Sequence, residues 1–267
     1  MSIDSDTRAI VTGASRGIGR ATAKALAARG ARVGLLARGR EGLEALASEL
    51  PPSPAGEHVV LAADIGRRRE VERAVERFAD RAGGLDLMVA NAGIAHYGRF
   101  IDVDLERAEE MVRVNVLGTL HSVRAGLEPM VEARRGHIVV ISSGAGLRAF
   151  PHAAVYGGTK AFDRGFAEAL RHELAGSGVG VTTVFPGEIA TDLHAHERDV
   201  LPDWRKNEAE LAPEAVAERI VAAVEADSRR VNVPRIVGVL GLNGVAPRFV
   251  DLLLARIRGR GAAPRLD

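Results

Sequence analysis

Apolar residues fall along this chain in two alternating patterns. Short uninterrupted runs have the length and composition of strands buried on both faces: AIV at 9–11, RVGLLA at 32–37, VVLAA at 59–63, LDLMVA at 85–90, HIVVIS at 137–142 and VTTVF at 181–185. Between them lie longer stretches such as GRATAKALAARG (19–30) and RREVERAVERFADRAG (68–83). There the apolar residues recur every three or four positions and glycine stands at the ends, which is the pattern of helices. Six strands alternating with helices predict a parallel sheet with right-handed crossovers and helices on both faces, an α/β fold of the doubly wound, Rossmann type. Pro51, Pro52 and Pro54 mark a surface turn before the third run.

The units repeat without a break in composition until about residue 200, so one domain over 1–267 is expected, with its core at about 8–234. From Leu193 to Leu211 the chain is polar and irregular and carries His194, His196 and Trp204. It follows the sixth run at the sheet edge where open α/β folds bind ligands, and a lid or substrate loop is expected over about 189–212. A helical C-terminal extension is expected over about 235–260. In it Phe249, Leu252, Leu253, Ala255 and Ile257 form an apolar face flanked by Arg248, Arg256, Arg258 and Arg260. Packing on its own subunit or a partner is the plain reading, and peripheral contact with a membrane surface is the minor one.

Charge narrows the partners. Lys and Arg total 36 against 35 Asp and Glu, a net charge of +1, so no long-range field recruits nucleic acid or anionic membrane and a small molecule is the expected partner. The absence of cysteine excludes disulfides, thiolate nucleophiles and cysteine-bearing zinc sites. The first residues, MSIDSDTR, lack the apolar stretch of a signal peptide, and no run approaches the ~20 residues that span a bilayer, so a cytoplasmic location is expected. His194 and His196 have metal-like spacing without a third ligand nearby, and no metal is expected.

TGASRGIG (12–19) lies between the first strand and the first helix, where free helical N–H groups and the helix dipole attract phosphate. It departs from G-x-G-x-x-G, because Thr22 stands where the third glycine belongs. At the spacing T-G-x-x-x-G-x-G, Gly13 makes the turn while Gly17 and Gly19 leave room for a pyrophosphate and for close helix packing. Alone, the loop divides evenly between a nucleotide site and an ordinary glycine-rich turn. A Walker loop is excluded by spacing and by the missing Lys-Ser/Thr pair. Ala37 ends the second strand where NAD-binding sequences place Asp or Glu, and Arg38 follows it. A 2′-phosphate would meet two guanidiniums, Arg16 and Arg38, so NADP(H) is the expected cofactor, against the plainer reading of Arg38 as a solvated arginine.

Tyr156 and Lys160, in YGGTK, are four residues apart at the start of an expected helix and share one face. An ammonium there favours the phenolate and suits the phenol to acid–base work, although Y-x-x-x-K is common by chance. Ser143 stands at the C-terminal end of the fifth strand, where a hydroxyl faces the ligand crevice. Without a G-x-S-x-G elbow it makes a weak hydrolase nucleophile.

At these residues the sequence resembles the classical short-chain dehydrogenase/reductase family, from about Arg8 to Thr191 with its signatures in order. TGASRGIG, with Ser15 and Ile18, matches the family's cofactor loop. Asp64 in AADI, followed by Ile65, matches its adenine-contacting acid, and Asn91, Ala92 and Gly93 match the segment after the fourth strand. Asn115 in VNVLG, Ser143 in ISSGAG, Tyr156 and Lys160 match its catalytic positions, and PGEIAT, with Pro186, Gly187, Ile189 and Thr191, its nicotinamide-side loop. The resemblance implies that Tyr156 exchanges a proton with the carbonyl or alcohol oxygen and that Ser143 hydrogen-bonds the same oxygen, while hydride moves between substrate carbon and nicotinamide. It implies that Lys160 binds the nicotinamide ribose and makes Tyr156 more acidic, and that Asn115 holds a water linking Lys160 to solvent. It also implies a homodimer or homotetramer built through helices around 105–132 and 154–177. Many family members end in a short final strand with an aspartate-glycine-rich segment, whereas this chain continues as VPRIVGVLGLNGVAPRFVDLLLARIRGRG.

The function expected is NADP(H)-dependent oxidation or reduction of a moderately apolar alcohol or carbonyl compound. His96, Tyr97, Phe150, His152 and Trp204 suggest a partly aromatic pocket. The alternative is a regulatory protein that binds NADP(H) with little turnover.

Overall fold

A computed structural model describes residues 1–190, 210–248 and 250. Thr191, His194, His196, Trp204, most of the expected lid, and the apolar face from Phe249 onward lie outside the described residues. The two ends of the lid meet at the sheet margin: Leu211 N–H donates to Glu188 O at 3.1 Å and Ala190 N–H to Leu211 O at 2.9 Å.

The sheet is parallel and seven-stranded, in the order β3-β2-β1-β4-β5-β6-β7. Its strands are β1 (Arg8–Thr12), β2 (Arg32–Ala37), β3 (Val59–Ala62), β4 (Leu87–Ala90), β5 (Gly136–Ile141), β6 (Val179–Pro186) and β7 (Arg230–Val233). Six coincide with the six apolar runs. The seventh corrects the count of six. RVNV is four residues long on the sheet edge, and only Val231 and Val233 are buried, so it carries too short an alternation to read as a strand.

Helices α1 (Gly17–Ala27), α2 (Arg40–Glu49), α3 (Arg68–Ala82), α4 (Leu105–Met111), α5 (Gly118–Glu132), α6 (Gly144–Leu147), α7 (Ala154–Glu173) and α8 (Pro213–Glu225) connect the strands. Alternate strand residues enter opposite cores. Val11, Leu35, Val89 and Val139 pack with Leu26 of α1, Leu43 of α2 and Ile220 of α8. Ile10, Leu36, Met88 and Val140 pack with Phe78 of α3, Val123 of α5 and Leu170 of α7. Because both faces are covered, each strand is apolar throughout instead of alternating with polar residues.

The expected C-terminal helix begins as a 3-10 helix over Arg235–Gly244. Gly238, Gly241 and Gly244 recur every three residues, the period of that helix. A Cβ on Gly238 would press on Asn232 at 3.0 Å and one on Gly241 on Arg230 at 3.2 Å, so Gly238 and Gly241 lie against β7, while Gly244 faces open space.

Candidate active site

Strand order reverses direction between β1 and β4, and an open α/β sheet has its crevice at the C-terminal ends of such strands. Thr12 and Asn91 tie the two ends together. Asn91 Nδ2 donates to Thr12 O at 2.8 Å, and the Thr12 hydroxyl accepts from the N–H groups of Asn91 at 2.9 Å and Ala92 at 3.0 Å. Asn91 thus performs the backbone-bonding role open to it from sequence, and Thr12, quoted in the motif without a role, is its partner.

One cavity runs along this crevice. Of the residues singled out in the sequence, it is lined by Gly13, Ser15, Arg16, Gly17, Ile18, Arg38, Asp64, Ile65, Asn91, Ala92, Gly93, Ser143, Tyr156, Lys160, Pro186, Gly187 and Ile189. Gly19 and Asn115 stand behind the wall. Gly13 has φ +66, a conformation that side chains resist, and a Cβ on Gly19 would collide with the Gly13 carbonyl oxygen. Gly19 therefore lets α1 close on the turn, and the opening N–H groups of that helix face the cavity from the motif loop. A glycine cradle at a helix N-terminus, in a crevice long enough to reach β2 and β6, fits a dinucleotide.

At the far end, Ala37 offers no carboxylate and the Arg38 side chain is 61% exposed, 3.7 Å from Glu110 Oε1. Asp64 accepts from Gly66 N–H at 2.9 Å and from Arg113 Nη1 at 3.0 Å. Burial would push its carboxyl up, but these donors outweigh burial and hold it below the usual carboxylate range, so it is an anion. Glu110 and Arg113 were not singled out in the sequence. They belong to no motif and reach the rim only because α4 and the turn after it pack on α7, which brings Glu110 to Arg38 and Arg113 to Asp64.

That turn, Val112–Leu117, is π-helical. Its wider ring presents Asn115, which is fully buried, to the chain after β4: Nδ2 donates to Ile94 O at 2.9 Å and to Thr159 Oγ1 at 3.0 Å, and Oδ1 accepts from Ile94 N–H at 2.9 Å. The Asn115 carbonyl accepts the Thr119 hydroxyl at 2.7 Å. Asn115 thus fixes the cavity wall against α7.

Ser143 caps α6, its oxygen accepting from Ala145 N–H at 3.1 Å, so its own proton remains to be donated. Tyr156, 4% exposed, packs edge-on against Tyr97 with ring centroids 5.8 Å apart. Lys160, one turn later and 5% exposed, donates from Nζ to Ile141 O and to Asp163 Oδ2, both at 2.9 Å. Burial pulls this ammonium toward neutrality, but the Asp163 carboxylate and Tyr156 outweigh it and hold its proton more tightly than in a free lysine. Cavity residues Ile94, Val114, Ile141 and Ser142 carry no sequence signal beyond proximity to a motif.

Comparisons with known proteins agree with this arrangement. A sequence profile described as short chain dehydrogenase matches residues 7–201. Glycine betaine reductase ATRR of Emericella nidulans is 39% identical over 221 residues, 81% of this chain, which spans only 17% of that protein's length. An uncharacterized oxidoreductase of Staphylococcus aureus (strain MW2) is 33% identical over 236 residues, 88% of this chain and 98% of the relative. The crystal structure of a short chain dehydrogenase from Burkholderia cenocepacia J2315 in complex with NADP superposes with a TM-score of 0.79 at 29% identity, covering 96% of this chain and 99% of that one.

Proposed function

The chain belongs to the short-chain dehydrogenase family of oxidoreductases, and from that premise we propose that it is an NADP(H)-dependent enzyme interconverting a carbonyl compound and its alcohol. The observation that carries this reading is that Ser143, Tyr156 and Lys160 line the same cavity as the glycine cradle, Arg16 and Arg38. The loop and the α1 N-terminus hold the pyrophosphate, Arg16 and Arg38 the 2′-phosphate, Asp64 the adenine side, and Pro186, Gly187, Ile189 and Thr191 the nicotinamide side. When bound, the nicotinamide supplies or accepts the hydride. Ser143, its oxygen already used as an acceptor, donates its proton to the substrate oxygen and fixes it beside Tyr156. Tyr156 gives that oxygen a proton in reduction and takes one in oxidation, and Lys160 holds positive charge next to it throughout.

The chain acts as one domain and assembles as a homodimer or homotetramer. Phe100, Leu105, Val112 and Leu117, exposed along one flank of the α4 region, support that assembly. The reading is tested with purified protein, NADPH and a panel of ketones and aldehydes. Tyr156→Phe lowers kcat about a hundredfold or more, and kcat/KM with NADPH exceeds that with NADH. Retained turnover in that variant would refute the proton-transfer role, a preference for NADH the cofactor. NADPH binding without turnover across the panel would favour a regulatory protein instead.

A further inference from the structure

Asp163 lies on α7, one turn beyond Lys160, and has no place in the reaction as described so far. Its side chain is 0% exposed; Oδ2 accepts from Lys160 Nζ at 2.9 Å, and Oδ1 is buried without a hydrogen-bond partner. Enclosing a carboxylate with one oxygen unsatisfied is costly, and an apolar side chain would fill the position without that cost. Packing therefore does not account for an acid here. The charge must be read through the group it touches.

Lys160 has three N–H bonds. One goes to Ile141 O and one to Asp163, which leaves the third for the cavity that Lys160 lines. Nζ also lies 3.7 Å from where a Cβ on Gly93 would stand, on the floor of that cavity. The charged and titratable groups acting on Lys160 are Asp163 and Tyr156, both on α7. On Asp163 burial is the largest influence and pushes the carboxyl up, opposed by Lys160 and by the nearby Thr119 hydroxyl, whose proton goes to Asn115 O; the 2.9 Å contact with the Lys160 ammonium is what holds it as the anion. The π turn and α5, packed against the pair, contribute the neutral Asn115 and Thr119, and β5 contributes a backbone carbonyl.

We propose that Asp163 is a positioning residue for the reaction, tethering Lys160 with its third N–H toward the cavity and making the field at Tyr156 that of an ion pair instead of a lone ammonium. A lone buried ammonium beside Tyr156 would draw off the phenol's proton. Paired, it keeps its own charge while the carboxylate weakens its field at the phenol. This rests on the reading of Tyr156 as the proton donor, but its test does not need a substrate.

Asp163→Asn keeps the shape and an oxygen for Lys160 while deleting the charge. The ultraviolet absorbance of tyrosinate is titrated in the wild type and in Asp163→Asn, each against the same protein carrying Tyr156→Phe. With the charge removed and Lys160 still held by Ile141 O and the amide oxygen, the Tyr156 midpoint moves to lower pH by about one unit. The declining limb of carbonyl reduction against pH moves with it. Asp163→Leu also removes the acceptor, and kcat then falls about tenfold while substrate KM changes less than about threefold. A Tyr156 midpoint that stays in place or rises in Asp163→Asn overturns the proposal, whether or not Asp163→Leu folds. If the wild type reduces nothing in the panel, the reductase reading fails while the titration still decides the role of Asp163.

Discussion

Arg38 and Glu110 meet at 3.7 Å on the rim of the cavity, both partly in solvent, so their attraction is weak and a bound phosphate dianion would displace the carboxylate. Charge-assisted hydrogen bonds to a phosphate are worth about 1.5–3 kcal/mol. Arg38→Asp is accordingly expected to lower kcat/KM for NADPH relative to NADH by about tenfold to a hundredfold, measured with both cofactors on one substrate. Arg38, the glycine loop, Ser143, Tyr156 and Lys160 were legible because their chemistry needs particular residue types at particular spacings. Glu110, Arg113, Thr12 and Asp163 were not. Arg113 finds Asp64 across 49 positions and Asn91 finds Thr12 across 79, neighbours that nothing in the local chain names; Asp163 stands only three residues from Lys160, and what the local chain does not show is that both are buried.

Secondary elements were legible to the extent that both faces were buried. The run RVGLLA coincides with β2, and the period of RREVERAVERFADRAG with α3, which ends at Gly83 in the left-handed conformation. β7 escaped notice because its edge position relaxes the demand for apolar residues. How elements start also depends on distant groups. The buried Asp86, just before β4, accepts from the N–H of Arg8 at 3.0 Å and from its guanidinium at 2.7 and 2.8 Å, and lies 3.1 Å from Arg135, which anchors the first turn of β1 beside β4 and β5. Asp86→Ala strands those donors. Because Arg8 and Arg135 can recover water, the expected loss is about 2 kcal/mol, below the range for a wholly enclosed pair, and it appears as a lower urea midpoint with an unchanged slope.

The stability of the whole sheet carries a pH dependence that no single element shows. His137 of β5, its side chain 3% exposed, donates from Nε2 to the Thr182 oxygen at 2.8 Å, because the Thr182 hydroxyl proton is already committed to Ser228 O at 2.6 Å. Burial pushes its pKa from 6.5 down to about 4, against the opposing pull of Asp227. The fold thus prefers the neutral ring. Its contribution is complete above pH 6.5, fades as pH falls toward 4 while the unfolded chain takes up the proton, and amounts to roughly 3 kcal/mol. Unfolding free energies at pH 7 and 4.5 are expected to differ less in His137→Gln than in the wild type; equal differences would refute this account. By itself the sequence determined the alternation of strand and helix, the doubly wound class, and the set of residue types at the crevice, because periodicity and motif spacing are properties of neighbours along the chain. The tertiary structure alone decided that β7 extends the sheet, that Asn115 stands behind the cavity wall and Glu110 beside Arg38, and that Lys160 and Asp163 are buried as a pair. Burial, partner and field depend on what packs opposite, and only the folded chain sets that.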